Sequence, residues 1–188
     1  MLYEHIEGCL IRHCSPTLAA LKTAGLFSMK FSDKEELDVN LNAWNSNLSE
    51  KGVMLISLNE KNNRALIYVF RKKQLQQDLE RPSAKLFLQK NGYSDLEIEA
   101  AITTLRNRLE LSSEFPHEIG IFLGYPAEDV IGFIQNKGLN CRYSGCWKVY
   151  YNECEAKKLF AKYKKCEYIY ARLWEQGKSI LRLTVAKE

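Results

Sequence analysis

Apolar residues recur at two spacings along this chain of 188 residues, and each change of spacing marks an element. Leu37, Leu41, Trp44 and Leu48 fall three or four apart, as on one helix face; Ser32 with Glu35 forms a capping box ahead of them and Gly52 closes the helix. Residues 26–31 alternate apolar and polar closely enough for an edge or half-buried strand. Residues 53–58 and 65–70 are apolar runs around a polar tip at 59–64, the pattern of a β-hairpin with a longer loop and two central strands. Helical spacing then returns in three pieces, at 71–80, 82–90 and 94–111. The last opens on Ser94 and Glu97 as a capping box and carries Ile98, Ile102, Leu105 and Leu109 on one stripe. This reads as a helical insertion, with Asn91-Gly92-Tyr93 as a hinge candidate.

The stretch 115–151 is the unit around which the rest is organised. Residues 118–124 form a short apolar run closed by Gly124 and Pro126, without polar alternation, which predicts a central strand covered on both faces. Pro126 suits the first helical position, Glu128 and Asp129 fall in the first turn where the helix dipole favours anions, and Val130, Ile131, Phe133 and Ile134 supply the apolar face. Gly138 is the natural stop, and residues 146–151 predict a second strand rich in aromatic and β-branched side chains. A parallel pairing with a right-handed crossover is the default for this order, with an antiparallel pairing left open.

At the amino end, residues 2–13 predict a short helix. It breaks at Cys14-Ser15-Pro16, where Ser15 caps and Pro16 starts a further helical turn ending near Gly25. Cys14 would then sit just ahead of a helix N-terminus. At the other end, Asn152 and Glu155 cap a long helix whose apolar face runs from Ala156 through Phe160, Tyr163 and Tyr170 to Leu173 and stops near Gly177; residues 180–185 predict a last short strand. The expected fold is α+β: a mixed sheet of about five strands flanked by helices, with a helical insertion at 71–111 inside one domain spanning 1–188.

Composition narrows the function classes. The first residues contain Glu4 and Glu7 and no long apolar run, which predicts neither a signal peptide nor a membrane anchor and points to a cytoplasmic protein. In that compartment the six cysteines are reduced thiols rather than a disulfide framework. A formal net charge of +4 does not by itself imply nucleic acid. Lys157, Lys158, Lys162, Lys164 and Lys165 read as the solvated face of the long helix, whose aromatic residues belong to its core stripe. Nucleic acid is therefore not expected as a partner. Gly120, Gly124 and Gly132 do not make a phosphate loop; Gly132, inside a helix, permits close packing.

Two constellations could carry chemistry. A thiol at a helix N-terminus is stabilised as thiolate by the dipole and the open backbone N–H groups, and a histidine at the mouth of a strand could act as its base, which pairs Cys14 with His117. Asn140 or Glu118 would be the third polar partner. The competing reading makes Cys14 a small buried hydrophobe and His117 a loop residue satisfied by hydrogen bonds. Separately, Cys9 with Cys14 and Cys141 with Cys146 share one spacing, and the four could make a zinc or iron-sulfur site if they met in space, with His13 and His117 as further donors. Unrelated reduced thiols are the reading favoured over that site, and Cys154 and Cys166 are packing residues of the long helix.

Several motifs together resemble one bacterial family: Cys14-Ser15-Pro16-Thr17-Leu18-Ala19, His117-Glu118-Ile119-Gly120, Phe122-Leu123-Gly124-Tyr125-Pro126, Gly132-Phe133-Ile134 and Trp147-Lys148-Val149-Tyr150. That family is domain-of-unknown-function family 3793, of clostridia and their relatives, and the resemblance covers most of the chain. It implies a bacterial cytoplasmic setting, with no activity, substrate or catalytic residue attached. The run from His117 to Gly124 also looks like the histidine strand of papain-like cell-wall peptidases, with one extra residue between the histidine and the Gly-Ile pair. Cys14-Ser15 ahead of a helix looks like their nucleophile. The favoured functional reading is a binding or accessory module without catalysis, partnered by a small molecule or another protein. A Cys14–His117 thiol hydrolase or transferase is the first alternative, and a metal or iron-sulfur protein the second.

Overall fold

The computed structural model describes residues 2–111 and 115–186. In chain order its elements begin with α1 (Leu2–Leu18), β1 (Ala24–Lys30), α2 (Lys34–Leu48), a 3-10 turn at Ser49–Lys51, β2 (Val53–Lys61), β3 (Arg64–Arg71), α3 (Lys72–Glu80), α4 (Pro82–Lys90) and α5 (Ile98–Leu111). They continue with α6 (Ile119–Phe122), α7 (Ala127–Gln135), β4 (Tyr143–Ser144), β5 (Lys148–Val149), α8 (Glu153–Glu175) and α9 (Ile180–Leu183). The chain divides into two compact units, Met1–Gln74 with Cys166–Glu188, and Leu75–Lys165.

The first unit is built on a three-stranded antiparallel sheet in the order β1-β3-β2. Side chains two apart share a sheet face. Phe27 and Met29 of β1, Val53 and Leu55 of β2, and Ala65, Ile67 and Val69 of β3 thus form one apolar surface, packed with Ile6, Leu10, Cys14 and Leu18 of α1 and with the predicted stripe Leu37, Leu41, Trp44 and Leu48 of α2. The cap of α2 is Asp33, whose carboxylate accepts the Glu35 amide at 2.9 Å, in place of the expected Ser32. The hairpin is tighter than its polar tip suggests. Asn62 and Asn63 both take left-handed φ, 52° and 56°, which asparagine tolerates and a two-residue type I′ turn requires, so the strands run on to Lys61 and from Arg64. Only β3 is central; β2 is an edge.

Four expectations are corrected here. The break at Cys14-Ser15-Pro16 is absent: α1 continues through Pro16 to Leu18. A proline inside a helix costs about 3 kcal/mol, but Leu10 and Leu18 on either side of it are fully buried, and each buried leucine returns about 1.5–3 kcal/mol. The central strand at 118–124 is instead a compact helical segment, with Ile119 N–H to Pro116 O and Ile121 N–H to Glu118 O ahead of Leu123 N–H to Ile119 O. Short apolar runs do not distinguish a buried strand from a buried helical turn. Residues 180–185 contain α9, capped by Ser179, with Ile180 and Leu183 buried three apart. The mixed five-stranded sheet gives way, among the described residues, to the three-stranded sheet and a separate two-stranded antiparallel ladder, β4-β5, so no parallel pair is present.

The second unit contains the three predicted helices, most of α3 with α4 and α5, followed by the 115–151 stretch and the first turns of α8. Asp95 accepts the Glu97 amide at 2.9 Å just ahead of α5, where Ser94 was the expected cap. The hinge candidate at 91–93 is anchored: Tyr93 is fully buried and its hydroxyl donates to Glu118 at 3.2 Å. Arg108 of α5 forms an ion pair with the same Glu118 and donates to the Asn91 carbonyl at 3.2 Å. The stop at Gly138 holds, with φ of 73° and its amide bonded to the Phe133 carbonyl at 2.8 Å. Gly132 faces Tyr150, where an added Cβ would come within 2.6 Å of the ring; the close packing expected of this glycine is there. Among the described residues no helix is long and apolar enough to cross a membrane.

Candidate functional site

The second unit carries a cavity of about 340 Å³, formed by α6, the start of α7 and the β4-β5 turn. Its apolar wall includes Ile119, Leu123, Val130 and Phe133, and its polar side chains include His117, Cys146 and Lys148. The aromatic wall is rigidly braced. Tyr125 stacks on Trp147 with ring centres 4.7 Å apart, and Trp147 meets Phe160 of α8 edge-on at 4.4 Å. Such pairs add about 0.5–1.5 kcal/mol each beyond their burial.

Asp129, in the first turn of α7, sets the orientation of that wall. Its carboxylate is buried and accepts three hydrogen bonds: from the Trp147 indole N–H at 2.8 Å, the Tyr150 amide at 2.7 Å and the Tyr151 amide at 3.0 Å. The sequence reading placed Asp129 in the helix's first turn as a partner for the dipole. In the fold it also ties α7 to β5 and to the residues that follow.

At the mouth, the exposed His117 ring lies edge-on to Phe133 at 4.9 Å. The ring of Phe115 lies 6.4 Å from the imidazole, centre to centre. The Lys148 ammonium lies 5.8 Å from the centre of the same Phe133 ring and donates to the Gly138 carbonyl at 2.6 Å. Two nitrogen-bearing side chains therefore flank one aromatic ring at the rim. Burial pushes the Tyr125 phenol up to about 12, helped by the Cys146 thiol, so it remains a neutral hydroxyl at physiological pH.

The other predicted site residues fall in both units. Cys14 belongs to the first unit and His117 to the second. Cys14 is inside α1, fully buried, and its sulfur occupies the space a side chain at Gly25 would need, 2.6 Å from that Cβ position. The helix N-terminus that would activate it is missing, and burial pushes the thiol up to about 12. Glu118 points into its own buried network with Arg108 and Tyr93. Asn140 is exposed, with φ of 58°, and does not line the cavity. Of the proposed metal ligands, Cys9 and Cys14 lie in the first unit and Cys141 and Cys146 in the second; among the described residues no group of three or more His, Cys, Asp or Glu side chains is placed to hold a metal ion. The fold instead brings His117 together with Cys146 and Lys148.

Sequence reasoning brought in Cys146 only as one of four metal-ligand cysteines, and missed Tyr125, Trp147 and Lys148 as site residues because it assigned them to a loop end and a strand. A usable signal was present: five large aromatic residues, Tyr125, Phe133, Tyr143, Trp147 and Tyr150, crowd a short stretch that also carries an acid next to the apolar Val130.

The state of Cys14 gives a direct test. Because the thiol ionises near 9 when exposed and only near 12 in the fold, the native state is favoured below 9 and loses this contribution as pH rises from 9 towards 12. Native protein treated with iodoacetamide at pH 8 should be alkylated at the exposed Cys146 and Cys154 and not at Cys14, with Cys14 becoming reactive only under denaturant or alkaline conditions. Mass spectrometry of the peptides decides it; rapid native alkylation of Cys14 would restore the nucleophile reading.

The architecture is thus an α+β protein with a small antiparallel sheet in one unit and an aromatic-walled cavity in the other. The chain belongs to the family described as "Protein of unknown function (DUF3793)", whose profile matches residues 10–184. Neither curated proteins nor solved structures gave a match.

Proposed function

We propose that this protein is a binding module without catalysis, and that the cavity between α6, α7 and the β4-β5 turn receives a compact, ring-bearing small molecule. The observation that carries this reading is the cavity itself: about 340 Å³, within the roughly 300–1,000 Å³ of small-molecule sites, with an apolar wall and few polar groups. The braced Tyr125–Trp147 pair offers a preformed stacking surface, and a wall that is already ordered loses little entropy on binding. A solvated groove with no resident ligand is the competing account, and binding of a simple probe separates the two.

Trp147 is the natural reporter. In a variant carrying Trp44→Phe and Trp174→Phe it is the sole tryptophan, because the chain has three. Titration with uncharged 3-phenylpropanamide should change its emission saturably, with a Kd on the order of 1 mM as expected for a fragment of this size. No saturable response to ring compounds, charged or neutral, would remove the binding-module reading.

A further inference from the structure

We infer that the ligand of this cavity is an anion: a compact aromatic or alicyclic carboxylate whose ring lies on the apolar wall and whose charged group sits at the rim between Lys148 and His117. The inference rests on the binding-module reading and adds to it the charge class. Its basis is the placement of polar groups around the cavity. The two nitrogen-bearing side chains both lie against Phe133, with His117 edge-on at 4.9 Å and the Lys148 ammonium 5.8 Å from the ring centre. An ammonium has three N–H donors, and the Gly138 carbonyl takes one of them at 2.6 Å. The bond to Gly138 holds the charge in place and leaves donors for a ligand oxygen. The exposed imidazole adds a second nitrogen donor.

The acidic side chains nearby do not compete for that charge. Asp129 lines the cavity, but its two oxygens are taken up by the Trp147 indole and by the amides of Tyr150 and Tyr151. Glu118, adjacent to His117 in sequence, is buried and paired with Arg108 and Tyr93. A ligand cation would meet Lys148 at the rim. A neutral ligand would use the wall and leave the ammonium's donors to water. A carboxylate satisfies both parts of the site, apolar and charged, in one molecule.

The test compares two ligands of one shape on the unmodified protein, by isothermal titration calorimetry at low ionic strength. 3-Phenylpropionate should bind about tenfold more tightly than 3-phenylpropanamide, a difference of about 1.4 kcal/mol. That preference should shrink at about 0.5 M salt, where the charge is screened, and disappear in Lys148→Met, whose side chain keeps the apolar stem. Equal affinities for acid and amide, or tighter binding of 3-phenylpropylammonium, overturn the anion assignment while the binding-module reading stands. Binding of none of the three overturns both. Because the acid-to-amide ratio and its salt dependence are read on the parent protein, the outcome does not depend on the variant folding.

Discussion

Arg71→Met should destabilise the protein by about 4 kcal/mol, the sum expected when several buried acceptors lose a charged donor together. Arg71 ends β3 with only 2 % of its surface exposed. Its guanidinium donates to the carbonyls of Thr17 at 2.6 Å, Leu18 at 2.7 Å, Val185 at 2.7 Å and Lys51 at 3.2 Å. Thr17 and Leu18 are the last residues of α1, so their carbonyls lie at the helix end that lacks intrahelical partners and carries the negative pole of the dipole. One cation therefore closes α1, the 3-10 turn before β2 and the carboxyl-terminal segment. Lys51, donating to Thr184 O at 2.8 Å, and Tyr170, donating to Leu183 O at 2.7 Å, hold the same segment. Removing the guanidinium strands these oxygens in a protein whose total stability is about 5–15 kcal/mol. Urea unfolding followed by far-UV circular dichroism measures the loss. Arg71→Lys should recover less than half of it, because an ammonium cannot reproduce the planar fork. A loss under about 1 kcal/mol for Arg71→Met would mean that the carbonyls find other donors.

The residues that were legible in the sequence and those that were not divide along a physical line. Long periodic segments were read correctly: the stripe of α2, the helices of 71–111 and the long α8 with Asn152 at its cap, whose side chain accepts the Glu155 amide at 3.2 Å. In each, many residues agree on one spacing. The failures came where few residues had to decide. Residues 118–124 and 180–185 are too short for periodicity to separate a strand from a helical turn, and the tertiary environment chose the turn in both. At Pro16 a strong local signal was overridden by burial of the surrounding α1 face. The role given to Cys14 rested on the same local signal, a helix start at Pro16 that α1 runs through. Cys14 and His117 were paired because each fits a chemical role, but sequence spacing carries no information on which unit a residue joins. His117, at the entrance of the 115–151 stretch, lines the cavity together with Cys146 and Lys148, which lie about thirty residues further on, at the β4-β5 hairpin, beyond the reach of any local spacing.

Asp129 links stability to the proposed function, and its replacement should separate the two. Asp129→Ala leaves three donors without acceptors, the Trp147 indole and the amides of Tyr150 and Tyr151, and should cost about 3–4 kcal/mol. Asp129→Asn is the sharper experiment. Its amide oxygen can still accept both backbone amides, as the present Oδ1 does, but its NH₂ would face the indole N–H, donor against donor. The loss in urea unfolding should then be about 2 kcal/mol, while the indole, no longer held, loses its fixed stack on Tyr125. If the braced wall is what prepares the cavity, affinity for 3-phenylpropionate should fall about tenfold in Asp129→Asn even where the protein remains fully folded. The Trp147 emission of the single-tryptophan variant should shift to the red. A folded Asp129→Asn protein that binds as tightly as the parent would show that Asp129 contributes to stability alone and that the ligand does not depend on the orientation of Trp147.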